Sequence, residues 1–455
     1  MRSKHLIRAM VTLIAAALVP AIARTQDVSP SSSPSTPTVF KRFSGRVVKI
    51  QVIENGSVAK ASLGSGFFVG GDGTIVTNYH VVAQIVNNPT RYHAEMTGGG
   101  ETTQRVTVVG IDVIHDLAVL HSAARPALWF ALDSTAIDQG ERLYSMGHPR
   151  DLGLSIVEGT YNGLLAHTLY PKIHFTGALN PGMSGGPTIT ADGRVIGINV
   201  STDGNGISFL VPVARAKELL DRTMRTGYAV RNGLLADATQ QILSYQNVYL
   251  RGMFLPSSPT VQLGSYTLPT TPAPFFKCWA DAQRRDDLPY TITLHQCSTD
   301  DRLYISEEQW SGIAALQHEL ITTTTLSRTQ FYELYTTHFA LRESGFNGDE
   351  EDVTRFSCQT HNVAYNDTKL RAVFCVRAYK KLHGLYDAVV RVATLGMANS
   401  GVVTTLHLSG VSFENAKTIG TRYIQRISQS ISHRIPQNNY HGSVLNDPHT
   451  VARVR

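Results

Sequence analysis

From Arg46 to Val211 the chain runs in short apolar bursts broken by glycines and polar turns: VVKIQVI, SGFFVGG, TIVTNYHVV, QRVTVVGI, DLAVL, RVIGINV and ISFLVPV. Bursts this short, rich in β-branched residues, predict many strands closed into a barrel or stacked as a sandwich. Pro212 then opens VARAKELLDRTM, a helical sequence that predicts closure of this region. Helical character returns around Leu234 to Tyr245. Residues 255–274, LPSSPTVQLGSYTLPTTPAP, read as a linker from their proline and serine content.

Past that point the pattern changes. YTITLH, LRAVFCVRAY, YDAVVRVATL and VVTTLHLSG predict strands. Ser306 with Gln309, and Ser327 with Gln330, have the spacing of capping boxes and predict two helix starts. A third helix is predicted from near Ser412, with Phe413, Ala416, Ile419, Tyr423, Ile427 and Ile431 on one face. The expectation is a mainly β chain: an all-β domain over 42–226, a helical segment and linker over 227–274, and a smaller α+β domain over 275–435.

The ends read differently. Arg2, Lys4 and Arg8 precede an apolar run from Ala9 to Ala21 that closes in Ala21-Ile22-Ala23, the layout of a signal peptide over 1–23. The run falls short of the ~20 apolar residues of a membrane-spanning helix, and no later segment reaches that length, so no stable membrane span is expected. Residues 24–41, with QDVSPSSSPSTPT, read as a flexible linker, and 436–455 as a flexible tail. The implied address is beyond the inner membrane, periplasmic or extracellular. The net charge of +6 loses three positive charges with the leader, and no basic run rescues a nucleic-acid partner.

The four cysteines, Cys278, Cys297, Cys358 and Cys375, all lie in the second half. An even number in an exported chain predicts two disulfides. Neighbour pairing, Cys278–Cys297 and Cys358–Cys375, is the simplest of three connectivities, and zinc-type C-x-x-C spacing is missing. Asp300-Asp301 and the acidic run Asp349–Asp352 read as solvated loops, and no metal site is expected.

Candidate chemistry sits in the first half. Hydrolysis of a peptide bond by a serine needs a base for its proton, a carboxylate to orient that base, and N–H donors for the oxyanion. Ser184 lies in NPGMSGGP, where Gly185 and Gly186 permit a tight turn and the N–H groups of Gly182 and Ser184 form a candidate oxyanion hole. His80 lies in TIVTNYHVV. Asp116 opens the apolar DLAVL, where a buried carboxylate requires a donor such as the His80 ring. Asp112 is a rival that reads as a turn residue, and His115 as a surface or turn residue.

These segments resemble the chymotrypsin-like (trypsin-like) serine proteases, most closely the Deg, or high-temperature-requirement, branch. The resemblance rests on GSGFFV, TNYHVV, G-x-D-x-x-x-D-L-A-V-L, NPGMSGGP, GRVIGINV and GNGISFLVP in that order, over about residues 45–225. It implies two six-stranded β-barrels with the triad of His80, Asp116 and Ser184 between them. His80 would be general base and then acid, Asp116 would hold its tautomer, and Ser184 would carry the acyl-enzyme, with no cofactor. Met183 stands where many relatives have asparagine, and no PDZ pattern follows. The residue six before the nucleophile is Ala178, and Ile198 and Val200 follow on the next strand. These three are expected to line a pocket for small or aliphatic residues of protein or peptide substrates. The reading from another functional class is a catalytically latent scaffold whose C-terminal domain is a binding module.

Overall fold

Alternation of buried and exposed residues carries the chain into strands, and their pairing closes two barrels. The computed structural model describes residues 34–429, apart from 58, 99–102, 134–135, 230–232, 271, 284–286, 300, 307–308, 341–345 and 366. The expected signal peptide, the first part of the expected linker and the expected tail lie outside these residues. Helix α1 (Thr36–Phe43) is the first described element, so the later part of that linker is helical, with Val39 and Phe43 buried.

The first barrel comprises β1 (Val47–Glu54), β2 (Lys60–Phe68), β3 (Thr74–Thr77), β4 (Tyr92–Thr97), β5 (Thr103–Asp112) and β6 (Leu117–Ser122), closed in the order β1-β2-β3-β6-β5-β4. Helix α2 (Tyr79–Asn87) interrupts it directly after β3. The second comprises β7 (Arg142–Gly147), β8 (Ser155–Leu164), β9 (Ile173–Phe175), β10 (Pro187–Ile189), β11 (Val195–Thr202) and β12 (Ser208–Pro212), closed as β10-β11-β12-β9-β8-β7. An apolar layer built from both barrels, including Phe67, Val119, Tyr144 and Met146, joins them. Helix α3 (Val213–Arg225) buries Val213, Ala216 and Leu219, a helical spacing that lays one stripe on that layer.

Helix α4 (Leu234–Leu250) splints two cores. Ala238 and Ile242 enter the apolar cluster of the first barrel, while Tyr249 and Leu250 enter that of the C-terminal domain. Gln241 fastens it to the barrel, accepting from Val113 N–H at 2.8 Å and donating to the Ile111 carbonyl at 3.0 Å.

The stretch read as a linker is structured. Strands β13 (Thr260–Leu263) and β14 (Tyr266–Pro269) form a hairpin there, with Leu263, Tyr266 and Leu268 buried. Alternating apolar residues around the Gly264 turn outweigh the flanking prolines. The C-terminal domain is a seven-stranded antiparallel sheet made from β15 (Phe276–Gln283), β16 (Thr291–Thr299), a small hairpin of β17 (Leu303–Tyr304) and β18 (Trp310–Ser311) beside it, and then β19 (Ala314–Thr322). After α5 (Arg328–Phe339) come β20 (Ser357–Tyr365), β21 (Thr368–Ala378), β22 (Tyr386–Thr394), β23 (Ser400–Val411), α6 (Phe413–Gln425) and β24 (Ser428–Gln429). The sheet order is β15-β16-β19-β23-β22-β21-β20, and β24 pairs with β14.

The capping box at Ser327 and Gln330 opens α5, and Ser412 caps α6. Ser306 and Gln309 open no helix: the Gln309 carbonyl accepts the Ile305 and Ser306 N–H groups and closes the β17–β18 hairpin. No run at helical spacing follows Gln309, and a box without that run does not nucleate a helix. Both expected disulfides are present, each joining directly opposed residues: Cys278 with Cys297 across β15–β16, and Cys358 with Cys375 across β20–β21. Among the described residues no helix is long and apolar enough to cross a membrane.

Candidate active site

His80 sits in the first turn of α2, and Asp116 follows a turn at the end of β5. The carboxylate of Asp116 grips the histidine twice, accepting the His80 backbone N–H at 2.8 Å and facing ring Nδ1 at 2.6 Å. The double contact fixes both the helix start and the ring. Asp116 has a φ of 54°, a left-handed conformation that aspartate tolerates better than most residues. It is held there by Asn78, fully buried, whose side-chain amide donates to the Asp116 carbonyl at 2.7 Å. Asp112 makes the expected turn, accepting the His115 backbone N–H at 3.1 Å and meeting its ring at 2.9 Å. Burial works against the Asp112 charge, but the bonds from His115 and the charges of His115 and Arg222 leave its carboxyl below the ordinary value.

Ser184 is delivered by the β9–β10 connection. The turn closes through Met183 N–H to the Asn180 carbonyl and Gly186 N–H to the Met183 carbonyl, both 3.0 Å. Gly185 has a φ of 84°, and a Cβ there would lie 2.2 Å from the Ser65 carbonyl oxygen, so no other residue fits. Its neighbours are Thr77 and Asn78, the residues that lead into His80. Gly64 is a second marker of this approach, since a Cβ there would touch Val81 and lie 3.1 Å from the Ser184 carbonyl oxygen. The serine turn thus packs against the segment that presents the histidine. The Ser184 hydroxyl itself donates to the Val200 carbonyl at 3.3 Å.

Gly182, with a φ of 94°, passes so near the His148 carbonyl that a Cβ would sit 2.4 Å away. Among the described residues neither the Gly182 nor the Ser184 N–H donates to another group. Met183 has no exposed surface and packs in the second barrel with Phe175 and Leu210. Its side chain therefore anchors the serine turn, which explains an apolar residue there. Of the three expected pocket residues, Val200 borders the adjoining cavity and Ala178 is exposed. Ile198 has no exposed surface and belongs to the layer between the barrels, so it does not face the cleft.

Residues 64–198 match the trypsin-like peptidase domain. The chain carries a trypsin-like peptidase domain. Over 191 residues it is 33% identical to a probable periplasmic DegP-like serine endoprotease of Chlamydia muridarum, covering 39% of this chain and 37% of that protein. Over 222 residues it is 32% identical to the mitochondrial serine protease HTRA2 of Bos taurus, covering 45% of this chain and 47% of that protein. The chain spans less than half the length of these curated relatives. The solved serine endoprotease from Yersinia pestis aligns over 43% of this chain and 68% of that one, at 25% identity and a TM-score of 0.37.

Several residues around the peptidase domain's site escaped the sequence reading. Ser65 binds the serine turn, its N–H donating to the Ser184 carbonyl at 2.8 Å and its hydroxyl to the Gly182 carbonyl at 2.7 Å. Ser65 stood inside the GSGFFV motif, so its position was available. The His148 backbone N–H donates to the Ser65 hydroxyl oxygen at 2.9 Å, and burial with the nearby Lys49 charge pulls the His148 ring down to about 4. Tyr304, from the C-terminal domain, lies against the His80 ring with centroids 5.0 Å apart. Nothing in the local sequence marks Tyr304, because the contact joins residues far apart in the chain. Asp301, read as part of a solvated patch, is buried and paired with Lys172 at 2.6 Å.

Three tyrosines surround the Asp116 charge. Burial first, and then that carboxylate, push the hydroxyls of Tyr79, Tyr170 and Tyr304 up, so all three stay neutral. Among the described residues no three His, Cys, Asp or Glu gather as a metal site.

Proposed function

We propose that this protein is a serine endopeptidase in which His80, Asp116 and Ser184 form the catalytic triad. The observation that carries the reading is the double grip of Asp116 on His80. A carboxylate at Nδ1 holds the proton on that nitrogen and leaves the Nε2 lone pair to act as base. In the reaction His80 Nε2 takes the Ser184 hydroxyl proton as the oxygen attacks the scissile carbonyl carbon. The carbonyl π electrons move to oxygen, where the N–H groups of Gly182 and Ser184 are available as donors. Collapse of that adduct breaks the C–N bond, and the protonated His80 gives its proton to the leaving amine. Water then attacks the acyl-Ser184 by the same route in reverse.

Protein or peptide chains are the substrates of this reading, with small or aliphatic residues favoured before the scissile bond beside Val200. The leader layout and the periplasmic naming of the Chlamydia muridarum relative support export to the periplasm or beyond. A second reading, a latent scaffold, is favoured by one feature: the Ser184 hydroxyl bonds to Val200 while Tyr304 covers a face of His80.

Labelling of the mature chain with a fluorophosphonate, beside a Ser184→Ala variant, decides between them. Labelling and casein cleavage that both vanish in the variant support the peptidase. A folded wild-type chain that does not label overturns it in favour of the scaffold.

A further inference from the structure

A cavity of about 950 Å³ opens beside the site, and its walls come from both domains. On one side lies Val200, whose carbonyl accepts the Ser184 hydroxyl. On the other lies Tyr304, whose ring packs on His80. The cavity is therefore lined by residues that touch the nucleophile and the base. Ser201, Thr202 and Ile207 extend the peptidase wall; Phe275, Thr299 and Arg302 extend the opposite one.

The C-terminal wall is held rigidly. Asp301 pairs with Lys172 at 2.6 Å, and its other oxygen accepts the Leu169 N–H. Four residues along, the Ile305 carbonyl accepts the Tyr79 hydroxyl at 3.2 Å and the Asn87 amide at 2.6 Å. Tyr304 is bracketed by these anchors, one on each barrel. The hairpin is stiffened further by Arg302, whose guanidinium lies 4.4 Å from the Trp310 ring centre. A side chain pinned on both flanks is a wall rather than a swinging lid.

Resting on the peptidase reading, we propose that the C-terminal domain is one wall of the substrate cleft, with Tyr304 as a specificity-determining residue. An extended peptide would run from Ser184 into the cavity with the residues on the acyl side of the scissile bond between the β11 wall and the Tyr304 hairpin. The ring gives this side of the cleft a preference for apolar residues, and binding gains only from peptides long enough to reach it. Short substrates, which stop near the nucleophile, reach less of this wall than long ones do.

The test uses the full mature chain and three readouts: the rate of fluorophosphonate labelling, and hydrolysis of two chromogenic aliphatic substrates with one or four residues on the acyl side. For Tyr304→Ala the expected result is a KM about tenfold higher for the longer substrate, the effect of losing one aromatic anchor. Labelling rate and hydrolysis of the short substrate change less than this, so the ratio of the two substrates' KM values widens, and Tyr304→Phe restores that ratio. Equal effects on both substrates overturn the proposal, as does no effect on either. A labelling rate that rises more than about tenfold in Tyr304→Ala also overturns it, because the hairpin would then be a plug. If wild type itself does not label, the peptidase reading has failed, a result distinct from all of these. Should Tyr304→Ala not fold, Arg302→Ala is read on the same pair of substrates, with a loss confined to the longer one expected.

Discussion

Lys172 just before β9 and Asp301 just before β17 meet at 2.6 Å with side chains only 11% and 9% exposed, although 129 residues separate them. They join the second barrel to the C-terminal domain beside the catalytic cleft. A buried pair of this kind contributes less than its attraction suggests, because both charges are stripped of water, but removal of one partner strands the other. Asp301→Ala is expected to destabilise the protein by about 3–5 kcal/mol. The double variant Lys172→Met, Asp301→Leu should recover most of that loss. Urea unfolding of the two variants checks the difference, and equal losses would refute it.

Asp116→Asn keeps the size of the side chain but places an amide where two acceptor oxygens face His80. The ring then has reason to present the wrong nitrogen to Ser184. A fall in kcat of about 10⁴ is expected, with the fold intact by circular dichroism.

Met183 is expected to matter through its side chain. With no exposed surface among Phe175 and Leu210, Met183→Ala leaves a hole beneath the serine turn. The expected loss is about 2–5 kcal/mol of stability, with a slower labelling rate at Ser184 in the chain that remains folded. Thermal melting and labelling kinetics on the same sample measure both.

Acid should loosen this protein before its carboxylates titrate. Burial, with a minor charge contribution in each case, lowers His148 and His407 to about 4 and His318 to about 3, against an ordinary value of 6.5. Between pH 6.5 and about 4 the unfolded chain holds protons on these rings that the folded chain refuses. Stability from keeping them neutral is complete above pH 6.5 and declines as pH falls, by up to roughly 1.4 kcal/mol per unit for each ring. Urea midpoints taken between about pH 7.5 and pH 4.5 should fall steadily, and His407→Gln should flatten the slope.

What the sequence disclosed was local or patterned. The strand-rich first half followed from apolar bursts and its two barrels from the family resemblance, α5 from a capping box with a helix behind it, and both disulfides from simple neighbour pairing. His80 and Asp116 were legible because a carboxylate at the head of a buried strand requires a donor. The β13–β14 hairpin was obscured by prolines on its flanks, although Leu263, Tyr266 and Leu268 alternate as a buried face should. Ile198 has no exposed surface because an alternating strand has two apolar faces when one lies against a second barrel. Tyr304 and Asp301 were invisible, since their partners lie in the other domain and no spacing rule reaches that far.

The two disulfides occupy the outermost seams of the seven-stranded sheet, binding β15 to β16 at one margin and β20 to β21 at the other. Edge strands are the ones that peel away most readily, and a peeled strand is an extended chain. An endopeptidase engages its substrates in that form. On the proposed endopeptidase reading, the cross-links therefore hem the domain against its neighbour's activity: the two segments most exposed to being drawn into another molecule's cleft are the two stitched to the sheet.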